Sequence, residues 1–301
     1  MATLIERFNR KLFQHAVKGI LTTPKIKRGD QAFAALSMVH HRDVQPYLLA
    51  IKTFAEYARP ERIFVVADPS LTDEDRRILR EHIPFLEIVE ARDFQKPDLP
   101  IGGTWERLSA ISVLCQECPI VQLDADTMTF DIPQVVIDAV KANRSFVIRS
   151  ESGVEIKSLD DTARHGQELL KSSKHIQAIA EARFTELAGW QDYRYVRGCS
   201  GFTGFGRGAL SPDRLQAVSA AMRRIHGERW NEWGTEQVTS NLLAASAPNA
   251  FLLPHPEYCN ADGLSSQTRV AHYIGYARHV NRGYEKRARQ AIERLRSPLR
   301  A

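Results

Sequence analysis

The feature that most constrains this chain is an alternation, beginning near Ala32, of short apolar runs with longer segments of helical period. Short apolar runs between polar breaks read as strands buried on both faces, and the helical segments between them read as crossovers. The pattern predicts an α/β fold with a mainly parallel sheet flanked by helices. AFAALSMV (32–39) and RIFVVAD (62–68) are the clearest strands, and further strands are expected over 86–89, 120–123, 145–149 and 251–254. Helices are expected over 44–57, from a Ser70 or Thr72 cap to 83, and over 104–115, 133–141 and 235–244. The polar stretch 158–190 reads as a mostly helical lobe or lid, and CSGFTGFG (199–206) as a glycine-rich strand or turn. No repeat or linker divides the 301 residues, so one large domain is expected over 31–280, with a helical insertion at about 158–190.

Charge is concentrated at the ends. Residues 1–28 hold seven Lys and Arg against Glu6, and residues 278–301 hold eight against Glu285 and Glu293. Each end is therefore net +6 while the whole chain is +5, which leaves the body acidic at −7. That distribution argues against a nucleic-acid-binding core. Leu4, Ile5, Phe8, Leu12, Phe13 and Ile20 fall near helical spacing, so 1–30 is expected to hold a basic amphipathic helix, with a second basic helix at 281–301. The first suits packing on the body or contact with an anionic membrane surface. The sequence has no apolar run long enough to span a bilayer, and because MATLIERFNRKLFQ carries charges where a secretory signal needs an apolar stretch, no export is expected. A cytoplasmic protein is expected, with peripheral contact at the inner face of a membrane. Cys115, Cys118, Cys199 and Cys259 are too few for a disulfide scaffold and are expected as free thiols. The Cys115-x-x-Cys118 pair lacks a well-spaced second ligand pair for zinc, and the two are expected to share one buried helix.

The strongest chemical signal is Asp124-Ala125-Asp126, directly after the apolar run 120–123. Ligands of open α/β sheets bind beyond the carboxyl ends of strands, where this pair falls. Two hard oxygen donors so close suit Mg or Mn, and such an ion stabilises charge on a leaving diphosphate.

In this setting LDADTM (123–128) resembles the DxD motif of the metal-dependent, nucleotide-sugar-using glycosyltransferases of GT-A fold. HYIGYAR (272–278) is similar to the HxxGxxK element of the glycogenin and lipopolysaccharide galactosyltransferase group. The resemblance spans about 32–280. It implies that Asp124, Asp126 and His272 hold Mn or Mg, that Asp124 also meets the donor, and that Arg278 contacts the diphosphate past Gly275. Arg278 stands where the group has Lys, keeping the charge but changing the geometry. TWERLSAISVL (104–114) is similar to the helix that carries a donor-facing Arg, here Arg107. GCSGFTGF (198–205) resembles the strand lining the donor sugar, with Ser200 and Gly201 retained and Cys199 in place of Asn. GTEQVTSN (234–241) resembles a DQxxxN element, with Glu236 for Asp and with Gln237 and Asn241 kept.

By the resemblance, Glu236 and Gln237 are the catalytic residues. Glu236 either hydrogen-bonds sugar hydroxyls or acts as base toward the acceptor, and the motif order favours a retaining enzyme. The nucleotide, UDP by resemblance, is expected against Met38, Val39, His40 and Asp68. The implied activity is transfer of a hexose to a hydroxyl of a glycan or lipid-linked acceptor, within polysaccharide biosynthesis. Two other classes compete with this one. A sugar nucleotidyltransferase would show a glycine-rich loop after the first strand, and MVHHRDV has none. A non-catalytic nucleotide- or glycan-binding protein would not need the complete Asp-Asp-His set. Neither a Walker A sequence nor a GxGxxG occurs.

Overall fold

The computed structural model describes residues 3–150, 153–275 and 277–297. The outermost residues of the two expected terminal segments, 1–2 and 298–301, lie outside the described residues, as does residue 276 within HYIGYAR. In chain order the elements are α1 (Leu4–Val17), β1 (Gln31–Val39), α2 (Val44–Ala58), β2 (Pro60–Ala67), α3 (Asp73–His82), β3 (Leu86–Glu90), α4 (Trp105–Leu114), β4 (Ile120–Leu123), β5 (Thr127–Thr129), α5 (Gln134–Lys141), β6 (Phe146–Arg149) and β7 (Lys157–Ser158). They continue with α6 (Leu159–Leu169), α7 (Ile176–Ala182), β8 (Arg194–Tyr195), β9 (Gly198–Phe205), α8 (Pro212–His226), α9 (Thr235–Ala245), β10 (Phe251–Leu252), β11 (Tyr258–Asn260), β12 (Val270–His272) and α10 (Gly283–Arg296).

The expected strands and helices appear within a few residues of their predicted ends. Thr72, rather than Ser70, caps α3, its hydroxyl accepting from the Asp75 amide while the Asp75 carboxylate takes the Thr72 amide. CSGFTGFG is strand rather than turn. The shared-helix expectation for the cysteines is corrected. Cys115 is the buried C-cap of α4, whereas Cys118 lies beyond the helix and is half-buried; none of the four cysteines is in a disulfide among the described residues.

The chain divides into two compact units. The first comprises Met1–Val89, Leu123–Ile137 and Pro254–Ala301. In it β1 and β2 pair in parallel from Ala34↔Arg62 to Val39↔Ala67, joined through α2, which is the expected βαβ unit. Leu36, Leu48, Phe54 and Val65 are fully buried here, each contributing about 2 kcal/mol by transfer from water. A small three-stranded sheet runs β11-β12-β5, with β12 parallel to β11 and antiparallel to β5. Phe13 of α1 stacks on Tyr284 of α10 at 4.1 Å, and Tyr284 stacks on Tyr273 at 4.0 Å, tying both terminal helices to the end of β12.

The second unit comprises Glu90–Gln122 and Asp138–Leu253. Its sheet strands run β10-β6-β9-β4, with β10 parallel and β9 antiparallel to β6. Every residue of β9 is buried. A Cβ at Gly204 would stand 2.2 Å from the Phe146 ring of β6, so only glycine lets the two strands pair at that point. The 158–190 stretch is built on α6 and α7. Taken together, the elements make a mixed α/β chain with mostly parallel sheet strands and flanking helices.

Candidate functional site

The carboxylate pair and the distant histidine meet in the first unit. The Ser37 hydroxyl donates to the Leu123 carbonyl at 2.6 Å, fixing the chain directly before Asp124. The Thr127 amide and hydroxyl then both donate to the Asp124 carbonyl, at 3.1 and 2.9 Å, and close a turn around Ala125. The turn feeds β5, whose Thr127 lies opposite His272 of β12, and the Tyr273 amide donates to the Asp126 carbonyl at 2.8 Å. The register of two three-residue strands thus fixes which side chains converge.

His272 Nε2 lies 3.2 Å from Asp126 Oδ1 and 4.0 Å from Asp124 Oδ2. One donor atom from each of the three lies within 4.8 Å of the others. The Asp126 and His272 side chains are buried, and that of Asp124 is 32% exposed, giving the group one open side. A buried carboxylate needs compensation. Arg278 supplies it, its guanidinium bonding Asp126 Oδ2 while its Nε donates to the Tyr273 carbonyl at 3.0 Å. Two carboxylate oxygens and one imidazole nitrogen fit a hard divalent ion of the Mg or Mn type. Among the described residues nothing lies within 4 Å of where a Cβ on Gly275 would stand, so their packing does not require glycine there.

At the carboxyl ends of β1 and β2, Asp68 donates its amide to the Val39 carbonyl at 3.1 Å. Its carboxylate takes the Ser70 amide at 2.9 Å and faces His40 Nε2 at 3.3 Å. His40 also faces Asp43 at 3.7 Å. Val39 is fully buried and Met38 half-buried, so the polar groups here come from His40, Asp43 and Asp68.

The remaining predicted residues form a cluster of their own in the second unit. Gly234, at φ +108, is the N-cap of α9. A Cβ there would meet the His175 ring at 3.0 Å, so glycine answers both the backbone conformation and the space. Two residues on, in the first turn, is Glu236. Arg107 Nη2 donates to both Glu236 oxygens at 3.2 Å, and both side chains are only 4% exposed. The Thr104 hydroxyl donates to Glu236 Oε2 at 3.1 Å, and the Ser200 hydroxyl lies 3.3 Å from it. Gln237 joins a second chain of hydrogen bonds. Its amide nitrogen donates to Gln177 Oε1 at 3.4 Å, and Gln177 in turn donates to Glu181 at 3.1 Å and to the Tyr195 hydroxyl at 3.2 Å. Burial pushes the Glu181 carboxyl above its ordinary range, against the opposing pull of Arg197 at 3.2 Å and of the Tyr195 and Gln177 hydrogen bonds. The Asn241 side chain donates to the Gly198 carbonyl at 2.9 Å, pinning β9 to α9. Gly201 and Cys199 are buried in β9.

The predicted residues therefore fall into two groups. Asp124, Asp126, His272 and Arg278 come together in one unit; Arg107, Ser200, Glu236 and Gln237 come together in the other. Thr104 and Gln177 were not anticipated. Thr104 only begins a predicted helix, and Gln177 sits in a polar stretch whose sequence carries no marker of it.

No family model matches the chain, and no curated protein matches it. Among solved structures, mouse xyloside xylosyltransferase 1 is similar at 10% identity and TM-score 0.47, over 82% of this chain and 99% of that one. Galactosyltransferase LgtC, in complex with donor and acceptor sugar analogues, is similar at 10% identity and TM-score 0.48, over 89% and 97%. The bifunctional glycosyltransferase WbbM is similar at 10% identity and TM-score 0.50, over 87% of this chain and 52% of that one. At such identity the WbbM likeness speaks for the fold and for nothing finer. The chain has the GT-A glycosyltransferase fold, and it carries a DxD-like pair, Asp124 and Asp126, grouped with His272.

Proposed function

We propose that this protein is a metal-dependent glycosyltransferase that moves a hexose from a nucleoside-diphosphate sugar, UDP-linked, to a hydroxyl of a glycan or lipid-linked acceptor, with retention at the anomeric carbon. The observation that carries the reading is the Asp124–Asp126–His272 group, with Arg278 on Asp126, in a chain of this fold.

In this reading Asp124, Asp126 and His272 hold Mn or Mg, which supplies Lewis-acid stabilisation of the leaving diphosphate. Arg278 neutralises diphosphate charge, and Gly275 leaves the backbone open beside it. Val39, His40 and Asp68 meet the nucleoside. Arg107, Ser200 and Gly201 serve the donor sugar. Glu236, held by Arg107, Thr104 and Ser200, orients sugar hydroxyls, and Gln237 lies toward the reacting face. Residues 31–280 form the catalytic domain, with 158–190 as its insertion and basic helices on either side. The assignments in the second unit are supported by the motif resemblance and by the hydrogen bonds that fix those side chains.

Calorimetric titration of UDP, with Mn and with a chelator, tests the reading on the wild type and on Asp126→Ala. Micromolar binding should appear only with metal and weaken on the order of 100-fold in the variant, because a three-ligand site cannot spare a buried carboxylate. Unchanged UDP binding in the presence of chelator would remove the metal from the donor site. Binding of no nucleoside diphosphate at all would turn the reading toward a non-catalytic protein of the same fold.

A further inference from the structure

Helix α1 buries Asn9, Phe13, Ala16 and Val17 along one face, where Phe13 meets Tyr284. A second set of residues breaks that economy. Leu4, Ile5 and Phe8 are 83%, 66% and 59% exposed, three large apolar side chains standing together in water. At 3.6 residues per turn they cover roughly a 100° arc, and Arg7 and Lys11 fall on the arc beside it. The helix is formed before any partner arrives. Thr3 and Glu6 close a capping box at its start, the Glu6 amide donating to the Thr3 hydroxyl at 3.1 Å and the Thr3 amide to the Glu6 carboxylate at 2.6 Å.

The neighbouring surface has one dominant sign. Lys11, His15, Lys18, His41 and Arg42 line an open pocket of about 510 Å3 between α1 and the start of α2. Asp75 also lines it and is paired with His41 at 2.7 Å. An apolar stripe bordered by cations has the chemistry of an element that lies in the interface of an anionic bilayer, with apolar side chains among the acyl chains and cations at the phosphates.

We propose that α1 is the surface by which this protein docks on an anionic phospholipid bilayer. Leu4, Ile5 and Phe8 insert, Arg7 and Lys11 face the headgroups, and the pocket at Lys11, Lys18 and Arg42 takes a headgroup phosphate. The inference does not depend on the transferase reading, because docking requires neither metal nor nucleotide.

Cosedimentation of the full chain with vesicles tests it, using phosphatidylcholine alone and phosphatidylcholine with about 30% phosphatidylglycerol. The protein should pellet with the anionic vesicles only, and raising salt from about 0.1 M to about 0.5 M should release it. Leu4→Ser/Ile5→Ser/Phe8→Ser should weaken binding on the order of tenfold or more, as should Lys11→Glu/Lys18→Glu. These side chains are solvent-facing, so matched circular dichroism and Tm should show that the variants fold. No pelleting with anionic vesicles, equal pelleting with neutral ones, or undiminished binding by the triple serine variant would each overturn the proposal. A concentration-dependent dimer that the same variant abolishes, without vesicle binding, would place a second copy of the chain on the stripe instead.

Discussion

Arg107 and Glu236 are both almost wholly buried, and each is the other's counter-charge. Removing one partner strands the other in a low-dielectric surrounding, which costs far more than the pair returns by forming. Arg107→Met should therefore lower unfolding free energy by roughly 3–5 kcal/mol, whereas Arg107→Met/Glu236→Gln should recover part of the loss. Urea denaturation of wild type, both single variants and the double variant checks this, and losses that simply add would show that the pair is not energetically coupled. At this scale the sequence was legible where chemistry is local. Asp124 and Asp126 declare themselves by spacing, and His272 by its match to a known element. The partners Arg278 with Asp126 and Arg107 with Glu236 were not legible, because they join positions 152 and 129 residues apart and depend on where the backbone travels in between.

Helix α2 contributes an unusual interior group. Lys52, buried on that helix, donates to the Thr23 carbonyl at 3.2 Å, the Thr23 hydroxyl at 2.7 Å and the Pro24 carbonyl at 2.6 Å, and lies 2.9 Å from His82 Nδ1 at the end of α3. It thereby staples the segment before β1 to two helices. Burial pulls the Lys52 amine down from 10.5 to about 8. Between those values the unfolded chain holds a proton that the folded chain has released, so stability rises with pH across that window. The urea midpoint of wild type relative to Lys52→Met should accordingly climb from about pH 8 to about pH 10; a constant difference would show that the amine stays protonated when folded. Whether an element could be read in advance followed its length and contrast. β1, β2 and β4 are predominantly apolar, and α4 and α9 have clear polar starts. β5, β11 and β12 have three residues each, too few for any period to show, yet they set the register of the Asp-Asp-His group. α8 carries the same kind of signal: Ser211 caps it, Pro212 opens it, and Leu215, Val218 and Met222 mark its buried face.

At the scale of the molecule, the unit holding Asp124, Asp126 and His272 is assembled from three separated stretches of chain, while the other needs two. Contacts so distant in sequence are slow to close, since a long intervening loop has to be ordered first. When the full chain refolds from urea with Mn present, loss of the free-ion electron paramagnetic resonance signal should come after the slowest fluorescence phase of Trp105, Trp190, Trp230 and Trp233, all of which lie in the other unit; ion uptake in an earlier phase would contradict this order. Among the described residues no helix is long and apolar enough to cross a membrane, so the bilayer contact proposed for α1 is a matter of surface, not of span. The same three-part construction bears on synthesis. A ribosome releases both aspartates well before it makes the histidine, and in the interval the nascent chain offers a cation two carboxylates without the imidazole that completes the set. On the proposed reading, the capacity to capture a divalent ion then arrives late and at once, with the return of the chain through β12, and a captured ion marks that this return has taken place.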